Sequence, residues 1–514
     1  MAGADFSDTE EAQRAVVAFL SDPNTHGGHP VAVRSTPTSH VFLAGANAYK
    51  LKRARKMPFL DYSTLELRHA LCRRELELNR RTAPDIYLDV LPVTEKDGRL
   101  HLGGPGAAVD WVLHMRRFAE EDLADHAAAT HRFRLSHALE LADALAAFHK
   151  TLPPCHDKGG AAAFHASLLN VHAAFAMASD AAFTAAACEL SDILLILAAS
   201  KSDEINNRKD QGFVRLCHGD MHLGNIALIN DHPVPFDAIE FSDDIACVDT
   251  LHDMAFPLMD MVAHDLPLQA NGFFNRYLMA TRDMDGLSLL PLYLGYRALV
   301  RAMATGLVGK LDRGRRYLAT ARQLMAPHTP WVVAVGGLSG SGKSTVARSL
   351  AANLAPPPGA LLIRSDEVRK RLLGKRPEDR LSQDAYAPAV SRQVFDIMRE
   401  DAARALRAGW SVILDATHMD PATRQAAEAT ARAADAPFCG LWLDAPAAAL
   451  RRRVGGRDKD ISDADLAVLE KQLAVDVGDI GWLQIAADQP LERVIADAES
   501  AVRFRLGIRQ DSTL

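Results

Sequence analysis

The chain has 514 residues, more than one hydrophobic core usually holds, so two or three domains are expected. Its 48% hydrophobic and 24% charged residues are those of an ordinary soluble globular protein. A formal net charge of -7 gives no sign of a general nucleic-acid binder, although local basic patches stay open. The six cysteines, Cys72, Cys155, Cys188, Cys217, Cys247 and Cys439, form no C-x-x-C pair. Their scatter argues against a disulfide framework or a zinc site and for reduced thiols in the cytoplasm. The acidic start, MAGADFSDTEEAQ, lacks a signal-peptide core. The longest apolar run, Ile193 to Ala199, is too short to cross a bilayer, so a cytoplasmic protein without membrane attachment is expected.

In chain order, residues 10–21 read as a short amphipathic helix and Val31 to Val33 as a first strand. Val41 to Gly45 and Ala48 to Lys52 read as two strands around an Ala-Asn turn. The basic run Lys50, Lys52, Arg53, Arg55 and Lys56 reads, by itself, as a solvated edge. A long helix is expected over Ser63 to Ala83, with Ser63 and Glu66 as a capping box. Ala107 to Met115 is a strand, Leu135 to Lys150 a helix, and 160–205 an alanine-rich helical stretch. Two short strands, Ile226 to Leu228 and Val234 to Phe236, flank Asn230-Asp231-His232. Helices follow over 249–325, and APHTP at 326–330 reads as a linker. This divides the chain into domains at 1–325 and 331–514.

Beyond the linker, WVVAVGGLSGSGKST (Trp331 to Thr345) reads as a buried strand, a glycine turn and a helix start. Gly337, Gly342, Lys343 and Ser344 fill the G-x-x-x-x-G-K-[ST] pattern of a P-loop. In that pattern the backbone N–H groups of Gly337 through Thr345, with Ser339, Gly340 and Ser341 between, wrap a phosphate chain. Lys343 adds charge at the terminal phosphates, Ser344 offers a hydroxyl to Mg²⁺, and the new helix points its positive end at the anion.

Upstream, His218-Gly219-Asp220 is followed by Asn225 and then Asp237. This resembles the catalytic loop and metal-binding Asp of the protein-kinase-like fold, in its aminoglycoside-phosphotransferase branch. The resemblance implies that Asp220 accepts the proton of an attacking hydroxyl, and that Asn225 and Asp237 hold Mg²⁺ against the phosphates of ATP. Lys50 sits where the family's phosphate-binding Lys would be, with Lys52 on the same strand face as rival. Glu75 is the corresponding ion-pair partner, with Glu77 as rival. Met115 and Arg116 resemble the hinge that meets adenine, and Asp253 the structural Asp near the catalytic loop. His218 reads as a loop-packing residue. The chain departs from the family in lacking a G-x-G-x-x-G loop near Ser39, and in reading Asp237-Ala238-Ile239 where DFG would stand, so Glu240 is a further candidate for the metal. Glu120-Glu121-Asp122 is an acidic cluster suited to a cationic acceptor or, equally, to a solvated helix start.

In the second half, Asp366 follows the strand Ala360 to Ile363, at the edge where ligands bind in parallel sheets. It is a candidate base for an acceptor hydroxyl, and Arg369 a candidate grip on an anionic group. Asp415, ending the strand Trp410 to Leu414, is placed like a Walker B carboxylate that holds Mg²⁺ through water or orients the substrate. After the strand Gly440 to Leu443, Arg451, Arg452, Arg453 and Arg457 surround two glycines and read as a lid, with Arg457 the preferred catalytic arginine. Ser462 and Asp463 are read as a helix cap. This order resembles small P-loop kinases, in the group of polynucleotide 5′-kinases, zeta-toxin-like kinases and gluconate kinases. D-x-x-R at Asp366/Arg369, D-A-T-H at 415–418 and Arg424 resemble the polynucleotide-kinase end.

The whole chain resembles bacterial bifunctional aminoglycoside phosphotransferase/ATP-binding proteins, also described as AAA family ATPases. The resemblance implies an α+β protein-kinase-like domain followed by an α/β P-loop kinase domain with a parallel sheet and lid. It implies a tandem ATP- and Mg²⁺-dependent kinase acting on hydroxyl acceptors. A sugar or aminoglycoside suits the first half, and a small molecule or a nucleic-acid 5′ end the second. The other reading is a regulatory protein in which one half binds ATP without transferring phosphate.

Overall fold

A computed structural model describes residues 11, 13–57, 60–456 and 466–508. The chain packs as two compact units, one of residues 1–170 with 195–260, the other of 171–194 with 261–514.

The first unit is built on a six-stranded antiparallel sheet in the order Val31–Ser35, Ser39–Ala44, Asn47–Lys52, Ala107–Arg116, Tyr87–Lys96, Arg99–Leu102. The turn between the second and third strands is Gly45-Ala46, one residue earlier than Ala-Asn, and Gly45 supplies the left-handed φ of 55° that the tight reversal needs. On one face Phe42, Leu51, Val93 and Val112 pack under the helix Arg14–Ser21 through Val16 and Leu20. On the other, Leu113, Val90 and Tyr87 meet Cys72 of the helix Leu65–Asn79. That helix begins one residue later than Ser63 allows. Thr64 caps it by accepting from Leu67 N, while the Ser63 hydroxyl is spent on Asp61. The strand Tyr87–Lys96 carries no clean alternation and a Pro92, and only its neighbours reveal it. The hairpin Ile226–Ile229/His232–Pro235 packs on this second face through Ile229 and Val234, and the unit also holds the helix Leu135–Thr151 and most of the helix Thr250–Ala263.

The second unit carries a five-stranded, all-parallel sheet in the order Leu361–Arg364, Val412–Asp415, Val332–Gly336, Phe438–Asp444, Leu483–Ala486. Val333, Val335, Ile413, Leu441 and Leu443 meet the helices Lys343–Asn353 and Leu491–Leu506 in one apolar core. Such strands are buried on both faces and read as near-continuous apolar runs, which is why most were legible. The segment 326–330 carries no helix or strand. Helices of 261–325 pack within this unit. Asn271 Nδ2 donates to Pro358 and Ala360 carbonyls, Asn275 Oδ1 accepts from Leu362 N at 2.6 Å, and the Trp410 indole donates to Leu287 O. These asparagines satisfy backbone groups on the edge strand that leads to Asp366.

The apolar run Ile193 to Ala199 lies inside a longer helix, Ala181–Ser200. Its 20 residues and mean hydropathy of 1.8 make it the one helix among the described residues long and apolar enough to cross a membrane, and 33% of that stretch is buried inside the protein.

Candidate active sites

In the first unit, Lys50 and Lys52 share a strand face, because side chains alternate with a period of two. They do different things. Lys50 Nζ donates to Glu75 Oε1 at 2.8 Å and to Asp237 Oδ1 at 2.6 Å. Lys52 Nζ donates to Glu75 Oε2 at 2.5 Å, to the Tyr62 hydroxyl at 3.2 Å and to Glu240. Side-chain exposure is 1% for Lys52 and 15% for Lys50, while Asp237 is 40% exposed, so only the Lys50–Asp237 end opens to solvent. Glu75 is fully buried between both ammoniums. Burial opposes its charge, but Lys50 and Lys52 outweigh it and hold the carboxyl at about 2. Burial likewise works against both lysines, and the facing carboxylates still hold each well above the ordinary range, Asp237 and Glu75 for Lys50, Glu240 and Glu75 for Lys52. Glu77 is exposed and pairs with Arg74.

Asp237 has a left-handed φ of 63°, a strained conformation that its neighbours enforce. Its N–H donates to the Tyr87 hydroxyl, Ala238 N to Asn79 Oδ1, and Ile239 N to His218 O. The catalytic-loop candidate is pinned from the helix Thr250–Ala263. Asp253 accepts from His218 N and Gly219 N, and Asp260 accepts from Leu223 N at 2.8 Å. Asn225 Nδ2 donates to the Asp220 backbone carbonyl at 2.9 Å and to Asp220 Oδ2 at 3.0 Å, so its own Oδ1 is left to other partners. Phe236 N donates to Asn225 O, which ties the two metal candidates together. An amide oxygen and a carboxylate of this kind are hard oxygen donors that fit Mg²⁺. Glu240 is held inward by Lys52 and by the Tyr62 hydroxyl at 2.5 Å. His218 is buried, and that burial lowers its pKa to about 4. Met115, next to last in its strand, pairs with Ala48 and Tyr87 and packs with the Cys72 cluster. Glu120-Glu121-Asp122 forms a short 3₁₀ turn, with Glu120 paired to Arg34.

In the second unit the phosphate loop links the strand Val332–Gly336 to the helix Lys343–Asn353. Gly337 has φ 142°, and a Cβ there would lie 2.7 Å from Leu443 O. Gly340 has φ 88° and would meet Leu450 O at 3.0 Å. Both conformation and space therefore require glycine at these points. Lys343 and Ser344 open the helix, with Thr345 exposed beside them. The loop borders a cavity of about 290 Å³ whose lining includes Ser339, Lys343, Asp366, Arg369, Tyr386 and Gln472. Burial raises the Asp366 pKa, with Lys343 acting in the opposite direction. Arg369 is buried over the Tyr386 ring at 4.6 Å, and its Nη1 donates to Ala385 O and Ser391 Oγ. No carboxylate among the described residues pairs with it, and its Nε is buried without a partner.

Asp415 accepts from Arg364 Nε at 3.1 Å through Oδ2, while its buried Oδ1 has no partner among the described residues. An orphaned, buried carboxylate oxygen at the end of the strand paired with the one that enters the P-loop is a hard donor that fits a hydrated Mg²⁺. His418, at φ 48°, packs its ring against Trp482, and burial lowers its pKa to about 4. Arg424 donates to four backbone carbonyls, those of His418, Met419, Val477 and Asp479, which braces this loop. Arg451 pairs with Glu470, and Arg453 reaches Gly340 O at 3.5 Å. Arg457, Ser462 and Asp463 lie outside the described residues. Sequence reasoning missed Tyr62, Asn79, Tyr87, Asp260, Tyr386 and Gln472. Each acts through a tertiary contact and belongs to no local motif.

Residues 332–475 match the AAA_33 family model, an AAA domain. An uncharacterized protein of Mycobacterium tuberculosis (strain H37Rv) is 29% identical over 93% of this chain and 98% of its own length. Among solved structures, a sugar kinase from Janibacter sp. is 21% identical, with 35% of this chain and 99% of that chain covered and a TM-score of 0.26. A choline/ethanolamine kinase family protein from Mesorhizobium loti is 14% identical, with 60% of this chain and 98% of that chain covered and a TM-score of 0.34. The first half is built on the six-stranded antiparallel sheet, and the second carries the match to the AAA domain on its five-stranded parallel sheet.

Proposed function

We propose that the protein is a tandem ATP-dependent phosphotransferase, each half moving the γ-phosphoryl group of ATP to a hydroxyl acceptor. The observation that carries it is common to both halves. A lysine suited to meet phosphates, Lys50 or Lys343, shares a site with a carboxylate suited to take a hydroxyl proton, Asp220 or Asp366.

In the first half Lys50 exchanges its contact with Asp237 for the nucleotide phosphates, held in line by Glu75. Asp220, fixed by the Asn225 amide, takes the acceptor proton as the acceptor oxygen bonds to the γ-phosphorus. The bond to the β–γ bridging oxygen breaks and ADP leaves. In the second half the N–H groups of Gly337, Ser339 and Ser341 already donate to Thr417 O, Gln472 Oε1 and Leu338 O. Lys343 and the N–H groups at the start of the helix Lys343–Asn353 hold the phosphates, and Asp366 takes the proton. Its raised pKa makes it a better proton acceptor than an ordinary carboxylate. Asn225 and Asp237 in one half, and Ser344 and Asp415 in the other, would hold Mg²⁺, which would neutralise charge on the phosphates. The cavity of about 290 Å³ and Arg369, which has no carboxylate ion-pair partner among the described residues, favour a small acceptor with an anionic group in the second half, and a nucleic-acid 5′ end is the competing acceptor. Both reactions are placed in the cytoplasm, where ATP is supplied.

The test uses the full chain carrying Asp220→Asn or Asp366→Asn, with γ-labelled ATP and a panel of sugars, aminoglycosides, small hydroxy acids and 5′-hydroxyl oligonucleotides. Each change should remove one acceptor-dependent activity and spare the other. Loss of both with either change would mean one composite site. Nucleotide binding without acceptor-dependent turnover in one half would make that half a regulatory module. Label transfer to oligonucleotides, with an affinity that falls steeply with salt, would assign the second half to nucleic acid.

A further inference from the structure

The helix Leu466–Leu473 is clamped onto the phosphate loop. Leu469 is fully buried with Leu450 and Val454, and Leu338 of the loop itself packs against them. Leu469 and Gln472 are three residues apart and so share a helix face. On that face the Gln472 side chain reaches the next loop residue. Ser339 N donates to Gln472 Oε1 at 2.8 Å.

This contact fixes which end of the amide is which. A backbone N–H can donate only to the oxygen, so the other end is the Nε2 group with its two N–H donors. Those donors have no acceptor among the described residues. Gln472 lines the same cavity as Lys343 and Asp366. The P-loop lysine marks where the terminal phosphates lie, and the base marks where the acceptor hydroxyl stands. The γ-phosphoryl group must pass between these two, and its three equatorial oxygens carry the charge of the transition state. Amide donors fixed in advance beside that path stabilise such charge without reorganising.

We infer that Gln472 is a phosphoryl-contacting residue of the second half: Ser339 anchors its oxygen, and its amide N–H groups donate to the γ-phosphate oxygens. This rests on reading the second half as an ATP-dependent phosphotransferase. The role needs both ends of the side chain, one for the loop and one for the phosphate. No motif signals it, because Gln472 lies more than a hundred residues beyond the loop it completes.

The test is nucleotide binding by the full chain, with MgATP and MgADP titrated calorimetrically and the second site read as the component of binding that Lys343→Ala removes. Gln472→Glu keeps an oxygen for Ser339 N–H and replaces the donors by a negative charge. It should weaken MgATP binding by ~10-fold to 100-fold while MgADP binding changes by less than about twofold. Gln472→Ala should weaken MgATP less than Gln472→Glu does. Unchanged MgADP affinity reports that the loop is intact. MgATP affinity unaltered by Gln472→Glu would reduce Gln472 to a loop anchor and overturn the inference. Tighter MgATP binding by Gln472→Ala would also overturn it, because the side chain would then be occupying the phosphate position. If the parent protein binds neither nucleotide in a Lys343-dependent way, the kinase reading of this half fails, and the inference with it.

Discussion

Replacing Lys52 by methionine separates the two lysines of the strand Asn47–Lys52. The change keeps the aliphatic stem and removes the ammonium. Glu240 and Tyr62 are then left facing a thioether in the interior, and Glu75 keeps only Lys50. Breaking a buried ion pair by deleting one partner costs about 3–5 kcal/mol, because the surviving carboxylate stays desolvated. At about 2–4 °C per kcal/mol for a unit of this size, the first unit's melting midpoint should fall by roughly 6–20 °C. Lys50→Met touches a site open to solvent at Asp237, so its stability loss should be smaller. It should instead lower first-half turnover by ~10²-fold to 10³-fold, as removal of a fixed charge at the phosphates does. Differential scanning calorimetry and single-turnover phosphoryl transfer on both variants make the comparison. A double variant, Lys52→Met with Glu240→Leu, should recover much of the lost stability, because it removes both charges together. The reasoning is refuted if Lys52→Met melts with the parent protein yet abolishes turnover as fully as Lys50→Met.

Three further outcomes follow from particular contacts. His218 and His418 are held near a pKa of about 4 by burial, below the ordinary 6.5, so the fold favours the neutral rings. Their stabilising contribution is full above pH 6.5 and is lost as pH falls through 4, on the order of 3 kcal/mol each; His418→Phe should flatten the second unit's share in urea unfolding measured at pH 7 and pH 5, and an unaltered slope would contradict it. Asn275→Ala leaves Leu362 N–H without its acceptor on the sheet edge and should destabilise the second unit by about 1–3 kcal/mol in chemical denaturation, with nucleotide affinity retained. Because burial raises Asp366, the acid limb of second-half turnover should lie above the ordinary carboxylate range, with activity lost as pH falls through it, and a limb near pH 4 would place the base elsewhere.

The sequence by itself determined what short-range chemistry demands. The P-loop is legible because Gly337, Gly340 and Gly342 adopt left-handed backbone that few other residues tolerate, and because a buried strand and a helix must flank them. The His218-Gly219-Asp220, Asn225, Asp237 spacing is legible because one loop and one hairpin carry all of it. Tertiary structure alone gives Lys50 and Lys52 different contacts. A period of two puts both on one face, and only the positions of Glu75, Asp237 and Glu240 across the fold tell them apart. It also decided that helices after residue 260 cover the edge of the parallel sheet, and that Gln472 completes the loop around Ser339. Contacts of this kind join residues far apart in the chain, and they leave no local pattern because their geometry exists only once the chain has packed.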